Sequence, residues 1–411
     1  MTSVIVAGAR TPIGKLLGAL TPQTADALGG HAITAAVSRA GIEPGELDAV
    51  YFGNVVQAGV GPNPARLSAV AGGIPLSVPA TSLNKLCLSG LTALGHADLA
   101  IRGGLIRSAI AGGTESMTNA PHVTRIRTGV KYGPGDLADA LDRDALVCGL
   151  EHLVMGAGTE KHQAGLGITR AEQDEFAARS HERAATATAA GVFDDEIAPL
   201  TVRRGRQEAE VTADEGIRPG TTAESLGALR PAFAPDGTIT AGSASQLSDG
   251  AAGLVVMDKE EAQRRGLPWL AEIVTYATVA GPDPSLLHQP ARAIEKALSQ
   301  SGLTLADLDL LEINEAFASV AIASMRELAV DPDRVNVNGG AIALGHPVGM
   351  SGARLALTLA LELRRRGGGL GAAALCGGGG QGDAVILRVA EHDYFNGETV
   401  RLDGALRMAP Q

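Results

Sequence analysis

An internal duplication constrains the fold of this chain more than any single motif. Residues 32–48 read AITAAVSRAGIEPGELD and residues 293–309 read AIEKALSQSGLTLADLD, so Ala-Ile, a Gly and Leu-Asp recur at one constant offset. In both copies the apolar residues fall on one helical face: Ala32, Ile33, Ala36 and Val37, then Ala293, Ile294, Ala297 and Leu298. Gly41 and Gly302 follow, where a left-handed C-cap favours glycine. The apolar runs AVYFGNV and LLEINEA come next and read as strands. A second pair of segments, around residues 88–113 and 350–378, repeats the order Ser-Gly, amphipathic helix, Gly-rich turn, buried strand. Two matches in the same order point to two like α/β halves. Aromatics make up 3% of the chain and charged residues 19%, which suits close-packed layers of helix and sheet rather than an aromatic-rich sandwich.

Residues 117–246 break the pattern. They hold the loop-like RIRTGVKYGPGD, the polar helix TRAEQDEFAARSHERAATATAA and the Arg/Glu-rich VRRGRQEAEVTADEGIRPG, and DGAAGLVVMD then returns to buried-strand character. The expected organisation is a first half of residues 1–116 plus 247–268, an inserted loop domain of residues 117–246, a second half of residues 269–390, and a polar tail of residues 391–411 that fits neither repeat.

The formal net charge of −11 argues against a nucleic-acid surface but leaves room for an anionic small ligand at a local basic patch. Three cysteines without paired spacing fit a reducing compartment and no metal site. No run is apolar over the ~20 residues of a membrane helix, and RMAPQ is no peroxisomal address, so the expected location is the cytoplasm, with no membrane partner.

Four residues could carry chemistry. Cys87, in NKLCLSG, lies where a strand is expected to turn into a helix. A lone cysteine is commonly packing, but a helix N-terminus, with Lys85 adding positive charge, would lower a thiol pKa and expose a nucleophile. His346, in NGGAIALGHPVGMSGAR, lies in a rigid glycine-dense loop with Pro347 behind it, a costly place for a packing histidine. Cys376 precedes four glycines in LCGGGGQG, whose N–H groups can face an oxyanion, or which can be a plain turn. Asn314, in NEAFA, ends the second copy of a strand, where an amide can hold a water or cap a turn. Cys148, in ALVCGLEH, reads as structural.

Together NKLCLSG, GGTESM, NEAFA, GGAIALGHPVGMSGAR and CGGGGQG, in that order, with ARTPIGK and NPAR upstream, resemble the thiolases over about residues 3–390. The resemblance implies a five-layer α-β-α-β-α core of two duplicated halves with an inserted loop domain. It implies that Cys87 takes the acyl group, His346 takes the thiol proton, and Cys376 is the acid/base for the second substrate. His346 and a water on Asn314 would form one oxyanion hole, and the N–H groups of Cys87 and Gly378 the other. Acyl-CoA and CoA would be substrates, with no tightly bound cofactor. Arg218, Ser225 and Ser245 would contact coenzyme A, with Leu146 and Met155 along the same channel. A homodimer or homotetramer is implied, with residues 119–143 joining dimers. The chain departs from the short-chain pattern at Val154, at Gly377, at Pro62, and at LLHQP, where Leu286 and His288 would lie near the acyl pocket. A ketoacyl-synthase-type condensing enzyme would lack the second cysteine, and a non-catalytic relative would not retain all four groups.

Overall fold

The computed structural model describes residues 1–390; the tail 391–411 lies outside the described residues. Nine strands make the frame: β1 (Ser3–Arg10), β2 (Ala49–Gly53), β3 (Ala80–Leu83), β4 (Ser108–Ser116), β5 (Ser248–Asp258), β6 (Ala271–Ala280), β7 (Leu310–Ile313), β8 (Gly369–Gly377) and β9 (Gln381–Val389). Their order is β7-β8-β9-β6-β1-β5-β4-β2-β3, and the short strand Gly14–Lys15 adds to β5. The two halves are therefore mirrored in the sheet, with β6-β9-β8-β7 repeating β1-β5-β4-β2. They meet at a brief antiparallel contact, Val4 opposite Glu272 and Ile5 opposite Ala271.

The layers follow from which faces are apolar. Every residue of β4 and β5 is buried, so both faces of these strands need cover. The outer helices Ala25–Ala40 and Gln289–Ser301 each cover their own half. Both end on left-handed glycines, Gly41 at φ 65° and Gly302 at φ 69°, at the positions read from the repeat. The helices Ser89–Arg102 and Ser351–Arg365 lie between the halves, pack on each other and touch strands of both. The result is the α-β-α-β-α arrangement, with two buried helices in its middle layer.

Those two helices approach closely through the repeated Ser-Gly pair. A Cβ on Gly352 would lie 2.3 Å from the Leu91 nitrogen, and one on Gly90 would lie 2.9 Å from the Ala353 nitrogen. Glycine is required at both because the obstacle is backbone, which cannot rotate away. The crossing brings the N-termini of the two helices together, and the site forms there.

Residues 117–246 connect β4 to β5, which are hydrogen-bonded neighbours. The equivalent connection in the second half, β8 to β9, is only Gly378–Gly380. The long connection carries the helices Met155–Gln163 and Arg170–Ala189, and Thr169 starts the second with a capping box to Glu172. Buried Arg10 anchors it to β1, donating to Glu196 Oε1 at 2.7 Å and to both oxygens of Asp214 at 2.7 and 2.9 Å. That is the role of the arginine in ARTPIGK. No helix among the described residues is long and apolar enough to cross a membrane.

Candidate functional site

Cys87 lies in the turn between β3 and the helix Ser89–Arg102, half-buried. Leu86, immediately before it, has φ 53°, a left-handed conformation that costs a leucine energy and needs support. Ser89 supplies much of it: its Oγ accepts from the Lys85 N–H at 2.8 Å and donates to the Leu86 carbonyl at 2.6 Å. Asn84 Oδ1 accepts from the Leu86 N–H at 3.0 Å. The backbone N–H groups of Cys87 itself and of Gly378 favour the charged form of the thiol.

The expected fall in the Cys87 pKa does not occur. Burial pushes the thiol up to about 12, the Glu115 carboxylate adds to the rise, and the two N–H groups offset only part of it. Lys85 offers no help, because its Nζ donates to Asp383 Oδ1 at 2.7 Å and to Thr278 Oγ1 at 2.6 Å. The resting thiol is therefore protonated, and its proton must leave as sulfur attacks. A neighbouring base is needed rather than a standing thiolate.

His346 is the candidate for that base. Its Nδ1 lies 2.5 Å from Ser351 Oγ, which lies 3.0 Å from the Pro347 carbonyl. A carbonyl can only accept, so the Ser351 hydroxyl donates to it and accepts from Nδ1–H. That assignment leaves the lone pair on Nε2, which faces Asn314 Nδ2 at 3.4 Å. Burial, with a smaller effect from the Arg354 charge, pushes the imidazolium pKa down to about 3, so the ring is neutral and able to accept a proton. The backbone N–H of His346 is fixed by the Gln246 carbonyl at 3.1 Å and Ser248 Oγ at 3.2 Å.

Cys376 is fully buried near the end of β8, opposite Gly382 of β9. Burial and then the charge of Cys87 push its thiol above the ordinary range. The strand end that carries it packs on the Cys87 turn, since a Cβ on Gly377 would lie 2.7 Å from Leu88 Cγ and 3.4 Å from the Lys85 carbonyl oxygen. Asn314 is the first residue after β7, fully buried, with its N–H on the Ala374 carbonyl at 3.0 Å. Its Oδ1 is buried without a protein hydrogen-bond partner, an arrangement suited to a bound water.

A cleft of about 440 Å³ opens onto His346, with walls that include Leu146, Val154, Met155, Phe233, Ser245 and Phe317. The walls are mostly apolar, with Asp142, Ser245, Gln246 and His346 as polar groups among them. Met155 joins the cleft to the thiols, since a Cβ on Gly378 would lie 2.4 Å from Met155 Cε. Of the residues expected around coenzyme A, Leu146, Met155 and Ser245 lie on this cleft. Arg218 and Ser225 do not; both are exposed, Arg218 donating its N–H to His181 Nδ1 at 3.1 Å and Ser225 closing a helix cap with Thr222. Leu286 and His288 also fall outside it. Leu286 packs in the core cluster that also holds Cys376, and His288 pairs with Glu327. Val154 does stand on the wall. Gly377 is explained by packing, since a Cβ would lie 2.7 Å from Leu88 Cγ. NPAR is a helix-capping turn, with Asn63 Oδ1 accepting from the Arg66 N–H at 3.1 Å. Cys148 is buried in the hairpin of Val147–Cys148 and Leu153–Val154, as a structural cysteine should be.

Sequence reading missed three contributors. Ser351, which sets the His346 tautomer, was visible only as half of a repeated Ser-Gly. Gly352 and Gly90, which allow the crossing, were read as helix-start markers. Glu115 stood in GGTESM without a task. It is fully buried and accepts from Asn54 Nδ2 and the Val56 N–H at 3.1 Å, and from the Val55 and Gly349 N–H groups at 3.0 Å. It thereby ties the His346 loop to the wall behind Cys87. Burial lifts its pKa to about 7 against the pull of these donors.

A thiol in a strained turn, a neutral histidine and a second buried thiol, on two like α/β halves, suit covalent acyl transfer. Family comparison makes the assignment specific. Residues 3–260 match the thiolase N-terminal domain and residues 267–389 the thiolase C-terminal domain. The chain belongs to the thiolase family, whose members are acyltransferases. It is 55% identical over 387 residues to a probable acetyl-CoA acetyltransferase of Mycolicibacterium smegmatis, covering 94% of this chain and 100% of the relative. It is 44% identical over 387 residues to the acetyl-CoA acetyltransferase of Escherichia coli, covering 93% and 98%. The crystal structure of the Bacillus anthracis acetyl-CoA acetyltransferase superposes with a TM-score of 0.92 at 41% identity, covering 95% of this chain and 99% of that one.

Proposed function

We propose that the chain catalyses acyl transfer between a 3-ketoacyl-CoA and CoA, or the reverse Claisen condensation, through an acyl thioester on Cys87. The observation that carries this reading is the packing of the end of β8, which holds Cys376, against the turn that holds Cys87: a Cβ on Gly377 would lie 2.7 Å from Leu88 Cγ and one on Gly378 2.7 Å from Leu86 Cδ1. His346 Nε2 takes the Cys87 proton as sulfur attacks the thioester carbonyl. The Cys87 and Gly378 N–H groups receive the oxyanion of that step. CoA leaves as a thiolate and takes the Cys376 proton; the Cys376 thiolate then removes the α-proton of the second acyl-CoA, while His346 and an Asn314-bound water stabilise the enolate. The enolate carbon attacks the acyl carbonyl, the bond to Cys87 sulfur breaks, and that sulfur takes back the proton held by His346. Each such donor in a dry site contributes ~3–4 kcal/mol to the transition state. The neutral, proton-accepting state of His346 and the deep burial of Cys376 support this division.

Residues 117–246 form the inserted domain in this reading and hold coenzyme A, with the pantetheine arm along Leu146, Met155 and Ser245. Arg218, exposed outside the cleft, lies near the nucleotide, and Ser225, also exposed, lies near the pantetheine. The two halves extend over residues 1–116 plus 247–268 and residues 269–390. CoA and acyl-CoA act as substrates, no cofactor is held, and the enzyme works in the cytoplasm as a homodimer or homotetramer. The names of the relatives favour acetyl transfer over longer acyl chains. The test is CoA-dependent thiolysis of a 3-ketoacyl-CoA series from four carbons upward, with Cys87→Ala as control. Activity confined to four carbons supports acetyl transfer, activity rising with length assigns a degradative role, and no activity at any length overturns the reading.

A further inference from the structure

Asp383 belongs to β9 in the second half, yet its carboxylate grips the first half's nucleophile turn. It is fully buried. Its Oδ1 accepts from Lys85 Nζ at 2.7 Å, and its Oδ2 accepts from Thr92 Oγ1 at 2.7 Å and from the Tyr276 hydroxyl at 2.6 Å. Lys85 precedes Cys87 by two residues and Thr92 follows it in the first turn of the helix Ser89–Arg102. One carboxylate thus holds both sides of the turn. Its neighbour on β9, Gly382, is paired with Cys376 on β8, and Gly378 follows at the end of that strand. The path from Asp383 to the second thiol is therefore one rung of sheet.

The chemistry of the cluster suits a rigid clasp. A buried carboxylate needs opposite charge and donors, and here one ammonium and two hydroxyls supply them. Burial, then the Asp383 charge, pushes the Tyr276 phenol above its usual range, so it stays protonated and donates. Lys85 also bonds Thr278, which lies opposite Asp383 on β6. The clasp therefore includes two strands, the nucleophile turn and the helix that follows it.

We propose that Asp383 is a positioning residue for Cys87: by holding Lys85 and Thr92 it fixes the nucleophile turn against the β8–β9 hairpin, so that the Cys87 sulfur stays in register with the Gly378 N–H and Cys376. This rests on the acyl-Cys87 reading above. Asp383 touches no reacting atom and acts through the turn.

The test is rapid-quench acylation of the full chain by acetyl-CoA, alongside steady-state thiolysis and a denaturation midpoint for each variant. If the wild type forms no acyl-enzyme at Cys87, the thiolase reading itself fails, whatever the variants do. With wild-type acylation in hand, Asp383→Ala is expected to slow acylation about 10²-fold, the scale of a 1 Å misplacement, while KM for CoA stays within about twofold. Asp383→Asn keeps an acceptor for Lys85 and can donate to the hydroxyls, so it should recover part of the rate. Should Asp383→Ala not fold, Thr92→Val and Tyr276→Phe decide, each slowing acylation ~3–10-fold, the effect of one hydrogen bond. Folded Asp383→Ala acylating at the wild-type rate overturns the proposal. So does wild-type acylation in both Thr92→Val and Tyr276→Phe, or a loss that only tracks the unfolded fraction.

Discussion

The same strand–turn–helix unit occurs twice in this molecule, and the two copies have separate tasks. In the first, the residue before the Leu-Ser-Gly start of the central helix is Cys87; in the second, the residue before Met-Ser-Gly is Gly349. Ser89 ties its own turn through Lys85 and Leu86, while Ser351 orients His346. Asn54 and Asn314 each end a strand. Asn54 is drawn into the Glu115 clamp, whereas Asn314 faces the imidazole. In the proposed reading one copy supplies the nucleophile and the other supplies the base and the second thiol. Duplication provides two helix N-termini that meet at a glycine crossing, and divergence at a few turn positions makes them complementary.

The sharpest way to break this comparison is at the nucleophile. Cys87→Ala should remove acyl-enzyme formation and lower turnover by at least ~10⁴-fold, as for loss of other nucleophiles. Cys376→Ala should leave acylation by acetyl-CoA largely intact and slow condensation ~10²–10⁴-fold, the scale of a lost acid/base. Equal loss of both half-reactions in the Cys376 variant would contradict the split between copies.

The crossing is next. Gly352→Ala or Gly90→Ala places a methyl against backbone, and each should lower unfolding free energy by about 1–3 kcal/mol in a denaturant titration. Both should also lower turnover, because the crossing sets the distance between the copies. An unchanged midpoint in both would mean that the helices can separate freely.

A smaller effect should distinguish the two serines. Ser351→Ala should lower turnover about tenfold, the effect of one hydrogen bond, because Nδ1 loses the partner that fixes the tautomer. Ser89→Ala should shift the unfolding midpoint by about 1 kcal/mol and leave the pH dependence of turnover in place.

The smallest expected effect concerns charge. Glu115 is ionised above a pKa of about 7 and opposes the Cys87 thiolate. Glu115→Gln removes that charge, so iodoacetamide labelling of Cys87 at mildly alkaline pH should quicken, up to about tenfold for one pKa unit. Slower labelling would show that the clamp matters more than its charge. The sign for His346 runs the other way. An unfolded histidine takes a proton below 6.5, the folded one only near 3, so this residue withdraws stability as pH falls between those values. Acid titration of the unfolding midpoint tests it.

Much of this was legible in the sequence, because periodicity and glycine are local signals. The repeat at residues 32–48 and 293–309 specified two outer helices and their C-caps, and the structure has both. Cys87, His346, Asn314 and Cys376 were visible because their turns are unusual in composition. The Cys87 pKa was misjudged because helix ends are local, whereas burial and a carboxylate from β4 are not. Lys85 looked like a thiol activator until the fold paired it with Asp383, which lies 298 residues away.

The sequence by itself determined that two like α/β halves would form, where their helices would end, and which side chains could do chemistry. These follow from patterns a few residues long. Only the tertiary structure decided which of those groups meet, which nitrogen of His346 is free, and whether the Cys87 thiol is charged. Those outcomes depend on burial and on partners from distant strands, and electrostatic energies in a desolvated site are set by such neighbours.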